Sequence, residues 1–311
     1  PIEAAELAID KMAMKNNFYK DDIPVPDFKQ LHNIEDLNNT IKDWKYPLVI
    51  KPLDSRGARG VLRLIEGVDL DWAYNCALEN SPTGRVMVEK YLPGAQVSTE
   101  SILIESECYT VGFADRNYEY LDKYSPHIIE NGGELPSNLP KTIQDQIKAL
   151  VKKAALSMGI KNGIVKGDIV VYKKQPFIIE LAARLSGGYF CTHEIPINTG
   201  VDLVGNAIKM AIGEKVDTND LIPRFNKYIC QRYIFPKPGT IQKINGLDNL
   251  MNNSSIEYFN IHAKPGQTIE GPTAHPSRAG MVIASGDSTE QARQAAINAI
   301  KSLTFSYKSI A

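Results

Sequence analysis

The chain has 311 residues, more than an average single domain, and its contents of 43% hydrophobic and 23% charged residues are ordinary for a globular protein. A formal net charge of −1 excludes the excess of basic residues with which proteins bind nucleic acid or an anionic membrane. The sequence contains no apolar run near the roughly 20 residues of a membrane helix, no signal peptide and no ligand-like spacing of cysteines, so we expect a cytoplasmic protein.

The first part of the chain predicts a helix followed by a small mixed lobe. Residues 2–20 have a helical pattern, and the prolines at 24 and 26 end it. The pattern then predicts three short strands and one short helix, the strands at 48–50, 61–65 and 85–92 and the helix at 72–78. We interpret 1–24 as an N-terminal helix leading into a βαβ-like lobe at 25–90.

The remainder of the chain predicts alternating strands and helices. Strand-like runs dominate 97–113, and the loop that follows to about residue 139 is long enough to suggest a function. Further strands are predicted at 164–172, 176–181 and 228–235, and helices at 142–158, at 201–212 and after Ser288, which forms a capping box with Gln291. We therefore predict an α+β architecture, with a core at 91–225 and a C-terminal lobe at 226–311.

A lysine and a loop of small residues follow the strand at 48–50. Lys51 stands at the strand end, and the segment 54–60 contains Ser55, Gly57 and Gly60. Such a loop can fold its backbone N–H groups over phosphates while the lysine supplies a positive charge. The segment is not a Walker A motif, because no Gly-Lys-Ser/Thr opens a helix. A glycine-bearing turn with solvated arginines is the alternative interpretation.

Two acids interrupt strand-like segments that are otherwise apolar. Asp168 and Glu180 lie on neighbouring predicted strands, where a carboxylate is costly unless it is paired or binds a cation. Apposed strands can bring both carboxylates to one side, and oxygen ligands suit Mg²⁺. The alternative is that each acid pairs with a neighbouring Lys or Arg. The segment from Arg184 through Ser186, Gly187 and Gly188 follows at once and suits close approach of an anionic substrate, with a flexible turn as the alternative.

Taken in order, these segments resemble the ATP-grasp superfamily over nearly the whole chain. The resemblance implies a fold in which two α/β lobes enclose ATP, together with a C-terminal lobe like that of biotin carboxylase. It implies ATP and Mg²⁺ as cofactors, with Mn²⁺ as an alternative metal. The family's usual N-terminal Rossmann-like lobe is absent from this sequence, and the chain begins without Met, which we take to indicate a missing N-terminal portion.

The resemblance assigns nucleotide contacts residue by residue. Lys11, in Ile9-Asp10-Lys11, matches a lysine that contacts ATP phosphates, and Lys51 matches the lysine of the lid. The segment 54–60 matches the glycine-rich loop, and 89–92 resembles the hinge that reads adenine. The implied ATP-binding residues are Lys11, Lys51, Ser55, Gly57, Gly60, Glu89, Lys90, Leu92 and Glu100, the last at the base of the site.

The same resemblance assigns the metal and substrate positions. Asp168 and Glu180 match the two metal-binding carboxylates, although Ala182 replaces an asparagine that many members use as a further ligand. Arg184, with Lys51, is implied as catalytic. The implied substrate-binding residues are Arg184, Ser186, Gly187, Gly188 and Arg232. Arg232 lies near an anion-binding position of the C-terminal lobe and Arg278 near a strand start typical of it, with surface arginines as the alternative for both.

The implied function is ligation of a carboxylate, of the amino-acid type, to an amine through an acyl-phosphate, with release of ADP and phosphate. A bicarbonate-activating domain like those of carbamoyl-phosphate synthase or biotin carboxylase is one alternative. A non-catalytic, ATP-binding regulatory module is another. The implied partners are a small-molecule carboxylate and amine, without nucleic acid or membrane, and a homodimer is an assembly that the resemblance allows.

Overall fold

Helices and short strands are distributed along residues 1–308, the part of the chain that the computed structural model describes. The α-helices within this range are α1 (Ile2–Ile9), α2 (Lys11–Lys20), α3 (Ile34–Trp44), α4 (Leu70–Glu79), α5 (Lys141–Ser157), α6 (Ile195–Thr199), α7 (Leu203–Ala211), α8 (Leu247–Met251) and α9 (Thr289–Ser302). The first strands are β1 (Phe28–Leu31), β2 (Leu48–Pro52), β3 (Leu62–Leu64), β4 (Val86–Lys90), β5 (Ala95–Ile104), β6 (Glu107–Arg116) and β7 (Gly133–Leu135). The later strands are β8 (Gly163–Tyr172), β9 (Gln175–Ala182), β10 (Tyr228–Ile234), β11 (Gly239–Asn245), β12 (Ile256–Ile261), β13 (Thr268–Ile269), β14 (Gly280–Gly286) and β15 (Thr304–Tyr307). Among the helices of residues 1–308, none has the length and apolar character needed to span a membrane.

Two helices open the chain where the sequence predicted one over 2–20. The backbone of Asp10 is extended, and its carboxylate accepts hydrogen bonds from the N–H groups of Met12 at 2.9 Å and Ala13 at 3.0 Å. These bonds satisfy the first donors of α2, so the break costs little. Because of this break, Lys11 is the first residue of α2. The backbone N–H of Lys11 donates to the carbonyl of Leu53 at 3.2 Å.

A four-stranded sheet occupies residues 28–90 in the order β1-β4-β2-β3. Both neighbours of β2 pair with it antiparallel, and β1 pairs antiparallel with β4. The predicted βαβ-like arrangement is therefore wrong, because that unit requires parallel strands. Helices α3 and α4 pack on this sheet and share its hydrophobic core, which contains Leu37, Ile50, Leu62, Ala77 and Val88.

We predict that residues 25–90 move as a lid that closes when ATP and Mg²⁺ bind. The segment has its own core, and its contacts with the rest of the chain include the hydrogen bond from the N–H of Arg63 to the carbonyl of Pro126 at 2.7 Å. Hydrogen exchange of the amides at 57–60 is expected to slow with nucleotide, because closure excludes water. Exchange rates that are the same with and without ATP and Mg²⁺ would contradict the prediction.

An eight-stranded antiparallel sheet forms the rest of the framework, in the order β12-β14-β10-β7-β6-β5-β8-β9. Helix α5 packs on one face against Val97 and Leu103, while Ile102 packs on the other face with residues of α6 and α7. This alternation follows from the pleat of β5. The sheet crosses the predicted boundary at 225/226, so the segments 91–225 and 226–311 share one sheet where separate lobes were expected.

The C-terminal part adds helix α9 and a three-stranded sheet in the order β13-β11-β15. The predicted capping at Ser288 is confirmed, since its hydroxyl accepts a hydrogen bond from the N–H of Gln291 at 3.2 Å. The Gln291 side chain in turn accepts from the N–H of Asp287 at 2.9 Å. The buried face of α9 consists of Ala292, Ala296 and Ala299.

Candidate functional site

A cavity of about 720 Å³ lies where the two larger sheets face one another. Its walls include both sheets, the 54–60 loop and residues from the C-terminal part of the chain. Most of the residues that the sequence predicted for the site line it, namely Lys11, Lys51, Ser55, Gly57, Glu89, Lys90, Leu92, Asp168, Glu180, Arg184, Ser186, Gly187 and Gly188. Gly60, Glu100 and Arg232 are not among the lining residues.

The two predicted metal carboxylates face each other across adjacent strands. Asp168 on β8 is the register partner of Glu180 on β9, and the pairing becomes irregular directly after Asp168. The Ser98 hydroxyl donates to Asp168 at 2.9 Å, Lys166 forms an ion pair with it, and the Lys11 Nζ lies 3.7 Å from Glu180 Oε2. Burial raises the pKa of Asp168, but Lys166 and Ser98 outweigh burial and hold that pKa below its ordinary value.

The donor set near these acids fits a magnesium ion that also binds phosphate. Among residues 1–308 no group of three or more His, Cys, Asp and Glu side chains could hold a metal ion by itself. Ala182, which pairs with Lys166, supplies no side-chain oxygen. Mg²⁺ usually takes one or two protein carboxylates and completes its octahedron with waters and substrate phosphates. Asp168 and Glu180 match that requirement.

Lys51, the predicted lid lysine, belongs to a buried row of alternating charges, Lys51–Glu89–Lys15. Glu89 lies 2.6 Å from the Lys51 Nζ through one carboxylate oxygen and 2.7 Å from the Lys15 Nζ through the other. Burial lowers the pKa of Lys15 to about 8 although Glu89 opposes the shift. Glu89 keeps a pKa below its ordinary value, because the two lysines outweigh its burial. Its carboxylate is therefore engaged by lysines, whereas the sequence assigned Glu89 to the nucleotide. Lys15 was not predicted.

We expect Lys15→Met to weaken ATP binding about tenfold, although Lys15 is fully buried and does not line the cavity. Without Lys15, Lys51 becomes the only cation among residues 1–308 that pairs with the buried Glu89 carboxylate. Moving Lys51 from Glu89 to a phosphate then costs the free energy of leaving the Glu89 charge unpaired. Calorimetry would measure the ATP affinity. The double variant Lys15→Met/Glu89→Gln should recover most of it, and a double variant as weak as the single one would contradict this role.

The 54–60 loop is held from both sides. The Asp54 carboxylate accepts hydrogen bonds from the hydroxyls of Ser81 and Thr83, both at 2.6 Å. Gly57 and Gly60 have positive φ, and a side chain at Gly60 would lie 2.8 Å from Asn80 Cβ, so this glycine lets the loop pack on α4 and does not face the cavity. On the other side, the carbonyl of Gly57 accepts a hydrogen bond from the N–H of His275 at 3.0 Å.

We expect Lys11→Ala and Lys51→Ala each to weaken ATP binding without unfolding the protein. Each variant loses a charge-assisted contact with phosphate worth about 1.5–3 kcal/mol, which corresponds to about 10- to 150-fold in affinity. Titration calorimetry with ATP would measure the loss, and thermal unfolding would serve as the control. Wild-type affinity in both variants would remove the phosphate-binding assignment.

The loop after β9 is fixed from beneath by a buried acid. The N–H of Ser186 donates to Glu100 Oε1 at 2.8 Å, and burial raises the pKa of Glu100 to about 7. The carbonyl of Gly188 accepts hydrogen bonds from the Gln231 side chain at 2.7 Å and from the Tyr233 hydroxyl at 3.2 Å. Glu100 thus supports the loop, where the sequence predicted an ATP contact. Arg184 is exposed to the cavity and donates to the carbonyl of Leu185 at 3.0 Å.

Arg232 is neither at the cavity nor at the surface. Its side chain is 2% exposed, and its Nη2 donates to Glu134 Oε1 at 2.8 Å. Arg293 of α9 donates to both oxygens of Glu134 at 2.7 Å. The predicted substrate-binding role of Arg232 is therefore corrected to a structural one. Glu134 connects β10 to α9 by accepting hydrogen bonds from Arg232 and Arg293.

Several cavity residues could not be predicted from the sequence, because their neighbours in the chain form no recognisable pattern. Arg116, Glu130 and His275 line the cavity, and Arg278, which was noted only as a strand start, lines it too. Burial and Arg278 lower the pKa of His275 to about 4. Glu130 lies between β6 and β7, in the segment that the sequence predicted to be a long loop, so the length of that loop was the one usable indication of a function.

Models of two protein families match parts of this chain. The model of the ATP-grasp domain matches residues 8–188, and the model of the L-amino acid ligase C-terminal domain 2 matches 232–308. A D-alanine–D-alanine ligase from Desulforudis audaxviator (strain MP104C) is 25% identical over 185 residues, which cover 57% of this chain and 59% of that protein. The chain thus spans less than two thirds of this curated relative.

Solved structures agree in fold. An L-amino acid ligase from Bacillus licheniformis superposes with a TM-score of 0.83 at 19% identity, covering 99% of this chain and 74% of that one. Biotin carboxylase from Campylobacter jejuni superposes with a TM-score of 0.72 at 21% identity, covering 98% and 68%. The predicted α+β fold is confirmed. Since the ATP-grasp match spans more than half of the 311 residues, the chain belongs to the ATP-grasp domain family.

Proposed function

We propose that the protein joins a carboxylate of the amino-acid type to an amine at the expense of ATP, through an acyl-phosphate, and releases ADP and phosphate. The observation that carries the proposal is the register pairing of Asp168 with Glu180 in a cavity that also contains Lys11, Lys51 and Arg184. The similarity of the chain to a D-alanine–D-alanine ligase and to an L-amino acid ligase supports ligation of small acids.

The proposed reaction has two steps that balance without an enzyme nucleophile. A carboxylate oxygen of the first substrate attacks the γ-phosphorus of ATP, and the bond to the β,γ-bridging oxygen breaks to release ADP. The amine nitrogen then attacks the carbonyl carbon of the acyl-phosphate, phosphate leaves, and the amine loses a proton. A carboxylate approaching a triphosphate is repelled, so cations must offset the repulsion.

The residues of the cavity provide those cations. Lys11 and Lys51 would hold the phosphates, and Arg184 would hold the attacking carboxylate through its planar guanidinium. Asp168 and Glu180 would hold Mg²⁺, which when bound would neutralise charge on the phosphate oxygens. The 54–60 loop would cover the phosphates and exclude water, which otherwise would hydrolyse the acyl-phosphate.

A screen of the protein with ATP, Mg²⁺ and pooled amino acids and small acids, read by phosphate release, tests the proposal. Once a substrate is found, ADP and AMP are quantified and hydroxylamine is added to trap the acyl-phosphate. Formation of AMP and pyrophosphate would indicate an adenylate-forming ligase and overturn the mechanism. Phosphate release that depends on bicarbonate would favour the bicarbonate-activating alternative, and no substrate-dependent release would favour a regulatory module.

A further inference from the structure

The cavity wall contains several glycines, and the fold itself requires all but one of them. The glycines of the wall are Gly57, Gly94, Gly187 and Gly188. Gly57 and Gly188 each have a φ of +67°, which residues with a side chain adopt only with strain. A Cβ atom at Gly94 would collide with the carbonyl oxygen of Val171. Backbone conformation and close packing therefore account for glycine at these positions.

Gly187 is the exception. Its φ is not positive, and a Cβ atom built on it would have no heavy atom within 4 Å apart from its immediate neighbours in the chain. Alanine at such a position reduces the freedom of the unfolded chain without straining the folded one, so it should not destabilise the protein. Neither strain nor crowding thus explains this glycine, and the space beside it is open although the residue lines the cavity.

The chain on both sides of Gly187 is held in place. The N–H of Ser186 donates to Glu100 Oε1 at 2.8 Å, and the carbonyl of Ser186 accepts a hydrogen bond from the buried Cys191 thiol at 3.0 Å. The carbonyl of Gly188 has two side-chain donors, as described above. Because the loop is fixed at Ser186 and at Gly188, it cannot recede easily. A group added to Gly187 would therefore take space from a molecule bound in the cavity.

Gly187 also lies in the loop that is proposed to hold the reacting carboxylate. Arg184, the proposed partner of that carboxylate, and Gly187 both follow β9 and both line the cavity. A substituent on the carbon atom next to a carboxylate stays close to that group, so it needs space near Arg184. The open space beside Gly187 can provide it.

We propose that Gly187 determines which side chains the site accepts on the carboxylate substrate, called here the donor acid. Because residue 187 has no side chain, the site has room for a substituent next to the reacting carboxylate. The donor acid is then an α-amino acid or similar acid with a side chain larger than hydrogen. This inference rests on the ligase function proposed above.

The test uses hydroxylamine in place of the amine substrate, so that only the donor acid varies. Hydroxamate formation is measured with saturating ATP and Mg²⁺ for glycine, alanine, leucine and phenylalanine. We expect Gly187→Ala to lower kcat/KM about tenfold or more for the largest donor that the wild-type protein uses, because an added methyl group takes the space of that side chain. For the smallest donor the change should stay within about twofold.

Two further glycine variants separate this role from a structural one. Gly271→Ala is the matched control, because Gly271 is exposed, has no positive φ, has the same open surroundings and does not line the cavity. It should keep the donor preference of the wild-type protein. Gly188→Ala should unfold at a lower temperature, because its Cβ would lie 2.5 Å from the Tyr233 hydroxyl oxygen. Gly187→Ala should retain the wild-type unfolding temperature and ATP affinity.

The ratio between donors is measured within each protein, so a general loss of activity does not change it. An unchanged ratio in Gly187→Ala, an equal loss for all donors, or a fall in unfolding temperature like that of Gly188→Ala overturns this inference and leaves the ligase function standing. Use of glycine alone by the wild-type protein overturns it as well. If the wild-type protein uses one larger donor alone, an unchanged KM for that donor in Gly187→Ala has the same meaning. No hydroxamate with any donor acid removes both proposals.

Discussion

Glu180→Gln is expected to reduce product formation by at least about 1,000-fold while ATP affinity falls less than about tenfold. Glutamine keeps the size of the side chain but removes the negative charge opposite Asp168. That charge matters most when charge builds up on the transferring phosphoryl group, so the loss should appear in kcat more than in binding. Single-turnover measurement of ADP and titration calorimetry with ATP would separate the two effects.

Glu214→Gln is the control for this experiment, because Glu214 is exposed and does not line the cavity. It should retain wild-type turnover and ATP affinity. If Glu180→Gln retains more than a tenth of the wild-type kcat, the pair of acids does not support catalysis as proposed. If ATP affinity falls as much as kcat, Glu180 contributes to binding of the ground state instead.

Arg184→Lys is expected to reduce kcat/KM for the carboxylate substrate by about 100-fold and to leave ATP affinity unchanged. Lysine preserves the charge but lacks the planar fork that can hold a carboxylate and its phosphorylated form through two parallel hydrogen bonds. Arg184 is exposed to the cavity, so the substitution should not disturb folding. The measurement is steady-state phosphate release at varied carboxylate concentration, with Arg224→Lys as the control. Activity within twofold of wild type would exclude the bidentate role.

The elements that the sequence predicted well are those with a complete local signal. Helix α5 has apolar residues on one face and a glycine with positive φ, Gly159, two residues beyond its end. The β8–β9 hairpin has a polar turn, and its two acids were predicted to face each other. Strand β1 was missed because only its last residue, Leu31, is buried, which leaves no alternating pattern. Asp10 was missed as a helix break because its capping role depends on a single side chain.

The site was predictable where its residues follow one another along the chain and not where the fold brings them together. Lys51 lies within a few residues of the 54–60 loop, and Glu180 lies within a few residues of Arg184. Arg116 meets Glu130 and Glu194, and Arg278 meets Glu130, only through folding, since these residues come from separate parts of the chain. Arg232 shows the converse error, because its buried partner Glu134 lies 98 residues earlier and could not be inferred from its neighbours.

The continuity of the eight-stranded sheet determines where the chain can be cut. Strand β7 pairs on one side with β6 and on the other with β10, which lies beyond residue 225. A fragment ending near 225, or near the end of the ATP-grasp match at 188, would expose the backbone donors and acceptors of β7 at an open sheet edge. Such a fragment should aggregate by pairing of the exposed β7 edges. A deletion outside the eight-stranded sheet would leave the hydrogen bonds between its strands intact. Expression fragments of this protein therefore need to extend through β14.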